Sequence, residues 1–158
     1  MTGSVEGVTA NTYSSLFYHV VFSTKQRTKF IRPEIEQRVW AYLGGVASRQ
    51  GAKAVQIGGV EDHVHVLLMA PPTVSPAELV SRIKGDSSRW IHEVFPELRN
   101  FGWQDGYGVF SVSRSNVPQV VKYIQNQREH HRVRTFQEEY LLFLKKHQVA
   151  YDERYLWG

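Results

Sequence analysis

Three features of the sequence predict an α+β fold of the ferredoxin-like, split βαβ kind. They are the element order strand–helix–strand–strand–helix–strand, two helix starts marked by Ser-Pro or Arg-Pro, and strands whose apolar residues alternate with a period of two. That order implies an antiparallel sheet with two helices packed on one face. Two more helices follow, one bearing a tyrosine and a last one that is amphipathic.

Residues 15–24 (SLFYHVVFST) are rich in β-branched and aromatic side chains and read as the first strand, ended by the polar, basic run TKQRTK. Pro33 suits the first turn of a helix reaching about residue 50, with Gly51 as its stop. The Gly44–Gly45 pair lowers helix propensity and predicts close packing or a bend there. Residues 52–59 and 62–70 read as a hairpin turning near Gly58-Gly59. Ser75-Pro76-Ala77-Glu78 has the capping-box pattern and opens a helix to about residue 95. Residues 107–113 (YGVFSVS) form the fourth strand, after a Gly-rich GWQDGYG turn. Asn116 then caps a helix over 117–131, and an amphipathic helix over 135–147 aligns Phe136, Tyr140, Leu141 and Leu144. The aromatic tail YDERYLW is expected to dock on the chain's own core or on a partner.

The length, 158 residues with 42% hydrophobic content, suits one domain over 15–158 preceded by a polar tail over 1–14. No apolar run approaches the roughly 18 residues of a membrane helix, and the N-terminal segment lacks the shape of a signal peptide, so a cytoplasmic location is expected. The absence of cysteine excludes disulfide scaffolds, thiolate metal sites and thiol nucleophiles. The net charge of +4 is concentrated in two stretches. One holds Lys25, Arg27, Lys29 and Arg32; the other holds Lys122, Arg128, Arg132 and Arg134 beside His130 and His131. They suit a phosphate-bearing partner, and equally two solvated faces.

His63 and His65 lie two apart in EDHVHVLLMA, so both rings project from one face while Val64, Val66 and Leu68 face the core. Spacing alone does not make a metal site, since seven histidines would give about 0.3 such pairs by chance. One buried histidine and one at the rim would satisfy the same pattern. In VPQVVKYIQNQREHH, Tyr123 and Gln127 are four apart on one helix face. Val120, Tyr123 and Ile124 would serve equally as a core stripe, but an amide closing that stripe suits a ligand better. A divalent ion on His63, His65 and the Gln127 amide oxygen would keep positions open for a phosphodiester, with Tyr123 placed to attack phosphorus. His19, His130 and His131 are read as structural.

These segments together resemble the single-tyrosine HUH transposases. These are the TnpA proteins of the smallest, IS200-like insertion sequences, with the related REP-associated tyrosine transposases. The resemblance covers roughly residues 15–131 and rests on YHVVFSTKQR, GGVEDHVHVLL, WQDGYGVFSVS and VVKYIQNQREHH, in that order. It implies a metal-dependent (Mg²⁺ or Mn²⁺) enzyme that cleaves and rejoins single-stranded DNA at hairpin-marked element ends through a 5′-phosphotyrosine. Tyr123 would be the nucleophile, with His63, His65 and Gln127 as metal ligands. It implies a homodimer in which the tyrosine helix serves its own or a neighbouring histidine pair, with the WQDGYG turn and the tail from Val133 as candidate subunit contacts. It also implies association with the nucleoid when the protein is bound to DNA. Lys25, Arg27, Lys29, Arg82, Lys84, Arg89 and Arg114 are candidate phosphate contacts. Three other readings stay open: a domesticated nickase that processes genomic repeats, a non-catalytic ferredoxin-like module binding nucleic acid on its sheet, and, less well supported, a histidine-based metal hydrolase.

Overall fold

The computed structural model describes residues 8–9 and 11–158. Two short strands, β1 (Val8–Thr9) and β2 (Thr12–Tyr13), pair as a small hairpin where the polar tail was expected, while residues 1–7 and 10 of that tail lie outside the described residues. The main sheet contains β3 (Phe17–Ser23), β4 (Lys53–Val60), β5 (His63–Met69) and β6 (Gly108–Val112) in the antiparallel order β4–β5–β3–β6. Helix α1 (Pro33–Arg49) connects β3 to β4, and α2 (Pro76–Val94) connects β5 to β6. Each crossover therefore skips one strand, which is the split βαβ topology of the ferredoxin-like fold.

Alternation along the two central strands decides which side chains meet the crossover helices. Val20 and Phe22 of β3 and Val64, Val66 and Leu68 of β5 pack with Val39 and Leu43 of α1 and Leu79 and Ile83 of α2. Burying each such side chain contributes about 1.5–3 kcal/mol. Ser75 caps α2 by accepting from the Glu78 N–H at 3.1 Å. α1 runs through Gly44 and Gly45 as one helix, and a side chain at Gly44 would make only ordinary contacts with Ile57 and Ala54.

The second face of the sheet is covered as well. Helices α3 (Val117–Gln125), α4 (Gln127–His130) and α5 (Phe136–Lys146) lie against it. Ile124 and partly buried Val120 and Tyr123 cluster with Phe17 and Leu67, while Phe136, Tyr140 and Leu144 cluster with Val21 and Phe110. Among the described residues no helix is long and apolar enough to cross a membrane.

Four local expectations are corrected. Gly58 and Gly59 do not form the hairpin turn; they lie within β4, and the turn is at Glu61 and Asp62. A Cβ on Gly58 would lie 2.6 Å from the Ile124 carbonyl oxygen, and one on Gly59 would strike the His63 carbonyl, so both glycines permit close backbone approach. The tyrosine helix is not continuous to residue 131 but breaks at Asn126 (φ −101°, ψ 26°), a residue type that favours helix ends. The Asn116 side chain does not cap α3; its backbone already turns in the short 3₁₀ segment Arg114–Asn116. The buried stripe of α5 includes Glu139, and Leu141 is only partly buried.

The aromatic tail docks on its own chain. Trp157 lies near the rings of Phe136 and Tyr140, and the Gly158 carbonyl accepts from the Asp105 N–H at 2.9 Å and Gln104 Nε2 at 3.2 Å. The WQDGYG turn and the tail, the two segments expected at a subunit boundary, thus bind one another here.

Candidate metal and nucleophile centre

The centre is built on the covered face of the sheet, where β5 presents His63 and His65, both fully buried. Each has its Nδ1 anchored. His63 Nδ1 donates to Asp62 Oδ1 at 2.7 Å, and His65 Nδ1 shares a 2.8 Å hydrogen bond with Nε2 of His19 on the paired strand β3. That fixes both Nε2 atoms toward the helices above. His63 Nε2 lies 3.0 Å from Gln127 Oε1, and His65 Nε2 lies 2.9 Å from Glu139 Oε1.

The turn at Asn126 brings Gln127 inward until it is 1% exposed, at the start of α4. α4 is held from outside by Arg128, which donates to Glu61 in the β4–β5 turn and to Glu36 of α1, each at 3.1 Å. Tyr123 is half-buried on α3, its ring 5.7 Å from that of His65 and stacked at 4.5 Å on His130. Its hydroxyl donates to Glu139 Oε2. Tyr123, His63, His65 and Gln127 are therefore brought together within one chain.

Three residues assigned to structure or passed over by sequence reasoning belong to the same group. Glu139 enters from α5, and its Oε1 also lies 3.1 Å from His131 Nε2 and 3.4 Å from His63 Nε2. His19 steadies His65 from behind. A carboxylate at residue 139, one turn from Phe136 within an otherwise apolar stripe, was the available signal for the first.

Burial and charge divide these groups. Burial pulls the His63 pKa down, but the Asp62 and Glu139 carboxylates outweigh it and raise the group from 6.5 to about 9. Burial pushes His65 and His19 down, and for His19 the facing His65 adds to the lowering. Burial alone would raise the Glu139 carboxyl, yet His65, His131 and His63 hold it well below the usual carboxylate range. Burial and then the Glu139 charge push the Tyr123 phenol well above its ordinary value.

The donors fit a divalent cation. One ligand atom each from His63, His65, His131 and Glu139 lies within 4.8 Å of all the others. Anchoring one imidazole nitrogen while the other faces inward is the usual arrangement around a protein-bound metal. A cavity of about 350 Å³, lined by Tyr123, Asn116, Gln119, Arg134 and Lys146, opens onto the tyrosine. A second, of about 570 Å³, reaches His131 and is lined by Lys29, Arg128, Arg132 and Arg134. The second basic stretch therefore borders the centre.

The other basic candidates lie elsewhere. Arg82, Lys84 and Arg89 are on α2, across the sheet from Tyr123; Arg89 pairs with Asp86 at 3.3 Å. The Lys84 ammonium is engaged by the carbonyls of Gln104, Asp105 and Gly106 at 2.6–3.0 Å, which assigns it to holding that turn. Arg27 lies over Trp157 and Arg114 over Phe17, while Lys25 sits in the short 3₁₀ segment after β3.

Residues 12–127 match the family model described as "Transposase IS200 like". The ISDra2 transposase TnpA of Deinococcus radiodurans is 29% identical over 119 residues, 72% of this chain and 85% of that protein. The transposase of insertion sequence IS200 from Salmonella typhimurium is 30% identical over 126 residues, 76% of this chain and 82% of that one. A crystal structure titled as a transposase from D. radiodurans R1 superposes with a TM-score of 0.64 at 29% identity, covering 76% of this chain and 96% of the other. A REP-associated tyrosine transposase, solved bound to a REP hairpin, shares the fold with a TM-score of 0.58 at 14% identity over 83% of this chain and 72% of its own. Matched over most of its length by family model and relatives alike, the chain belongs to the IS200-like transposases, a family of DNA-cleaving and strand-transferring enzymes.

Proposed function

We propose that this transposase cuts and rejoins single-stranded DNA at hairpin-marked element ends, with Tyr123 as nucleophile. The phenol oxygen attacks phosphorus, the bond from phosphorus to the 3′ oxygen breaks, and the strand leaves a free 3′-OH and a 5′-phosphotyrosine. Attack by another 3′-OH reverses the exchange. One phosphoester replaces another at each step, so no nucleotide triphosphate is consumed. His63, His65 and Gln127 would hold Mg²⁺ or Mn²⁺, which when bound polarises the phosphodiester and stabilises the departing oxygen.

The observation that carries this reading is the convergence of four buried or half-buried polar side chains from β5, α3 and α4 on one point. Buried, mutually facing titratable groups of this kind are concentrated at functional sites, which supports the reading. The covering of the sheet by α3, α4 and α5 speaks against a binding module, which needs stacking aromatics on an open sheet. Residues 15–158 work as one unit in this reading, as a homodimer acting on nucleoid DNA in the cytoplasm. Lys25, Arg27, Lys29 and Arg114 would contact phosphates, with Arg128, Arg132 and Arg134 lining the approach.

The test is a denaturing gel of protein incubated with Mn²⁺ and labelled single-stranded hairpin DNA from the flanks of its gene. A covalent band lost in Tyr123→Phe and in His63→Ala, and absent with duplex, is expected. Hairpin binding without any covalent band would replace the nuclease with a binding role.

A further inference from the structure

The family match ends at Gln127, but the centre does not. α5 lies beyond it and places a carboxylate, 2% exposed, among residues that the family segment supplies. Neighbours of Glu139 in the same stripe are Phe136, Tyr140 and Leu144, so an apolar residue there would hold the helix without having to bury a charge.

Glu139 does not face a single partner: three imidazole nitrogens converge on one of its oxygens, at separations shared by hydrogen bonds and by neighbouring ligands of one cation. Two donors bound side by side to one cation at about 2.1 Å stand about 3.0 Å apart. Glu139 Oε1 lies 2.9 Å from His65 Nε2, 3.1 Å from His131 Nε2 and 3.4 Å from His63 Nε2. With the ligand atoms of His63, His65, His131 and Glu139 all within 4.8 Å of one another, the group has the size of a single cation's shell. Without Glu139, the two imidazoles and the Gln127 amide carry no negative charge, whereas Mg²⁺ and Mn²⁺ favour anionic oxygen. Asp62 does not supply it, because it faces the outer nitrogen of His63.

We propose that Glu139 is a ligand of the divalent cation at the His63–His65 centre, one carboxylate oxygen on the cation and the other on the hydroxyl of Tyr123. A single side chain from outside the family segment then fixes the nucleophile beside the metal. The proposal rests on the metal-dependent reading of the centre. The competing role is a plug, a carboxylate that takes the cation's place and must leave before metal binds. The two roles differ in sign.

Mn²⁺ titration of the full chain, followed by electron paramagnetic resonance of free and bound ion, separates them without reference to DNA cleavage. Glu139→Gln, nearly isosteric, is expected to weaken Mn²⁺ binding by on the order of tenfold or more. Unchanged or tighter binding overturns the proposal, and tighter binding identifies the plug. His63→Ala should abolish binding in either case. If it does while Glu139→Gln has no effect, the metal centre stands without Glu139; if the wild-type chain binds no Mn²⁺, both fail. A second measurement needs no variant: wild-type protein labelled with ¹³C in the glutamate carboxylates should show electron–nuclear coupling of bound Mn²⁺ to a carboxylate carbon, and its absence also overturns the assignment.

Discussion

His63 Nδ1 lies 2.7 Å from Oδ1 of Asp62, the residue immediately before it, and this pair sets the proton affinity of a buried imidazole that must be neutral to bind metal. With His63 raised to about 9, protons and metal compete across the neutral range. Apparent Mn²⁺ affinity should rise by up to about tenfold per pH unit from pH 6.5 toward 9 and flatten above. Calorimetric titrations at three pH values would show it, and Asp62→Asn should move the rise to lower pH. A pH-independent affinity would refute the competition.

The metal-free protein should show a maximum of thermal stability near neutrality. His19 and His65 have folded pKa values below 6.5, so the unfolded chain binds more protons and stability grows as pH rises toward 6.5. His63 acts oppositely: its contribution is complete below 6.5 and is lost as pH climbs through about 9. Melting temperatures between pH 5 and 10 in chelator would trace the two flanks. His63→Gln should flatten the alkaline one.

Gly58→Ala should disable the enzyme more than it unfolds it. The new methyl would meet the Ile124 carbonyl at 2.6 Å and its Cγ2 at 3.0 Å, next to Tyr123, so α3 must shift outward. Overpacking of this kind costs about 1–3 kcal/mol. Thermal melts should register that modest loss, while formation of the covalent DNA adduct should fall at least tenfold. A variant with normal adduct yield would show that α3 tolerates the shift.

Lys84→Met tests whether this cation serves the turn. Removing the ammonium takes the donor from the carbonyls of Gln104, Asp105 and Gly106, two of them exposed to water, a loss of about 0.5–1.5 kcal/mol. Stability should fall while the salt dependence of DNA binding stays unchanged. A reduced salt slope at full stability would return Lys84 to the DNA-contacting set.

Lys29→Ala should give the reverse pattern. It borders the cavity that reaches His131, and losing one phosphate contact reduces the slope of log affinity against log salt by about 0.7 for single-stranded DNA. Filter binding at several salt concentrations, with melting as control, would measure both.

The strands, and the same-face placement of His63 with His65 and of Tyr123 with Gln127, were legible from local periodicity, and the Ser75 cap from its local signature; joining the two pairs took their matching chemistry and the family resemblance. Val64, Val66 and Leu68 face one way, and the histidines must then face the other. What was not legible depends on pairs distant in sequence. Gly58 and Gly59 look like a turn until Ile124 and His63 are seen against them. His131 looks like a frayed helix end, and Glu139 like one of two adjacent acids early in a helix. Only the docking of α5 through Phe136, Tyr140 and Leu144 turns that carboxylate inward. Despite the break at Asn126, the Gln127 amide still faces the histidine pair, its Oε1 3.0 Å from His63 Nε2.

Roofing the sheet on its second side also decides the side of approach. His63 and His65 are themselves fully buried, whereas Glu139 and His131 border the two cavities at the edge of the roof. The histidine pair is thus the floor of the centre and the helices its doorway, so a substitution on α4 or α5 changes what can enter while one on β5 changes what can be held.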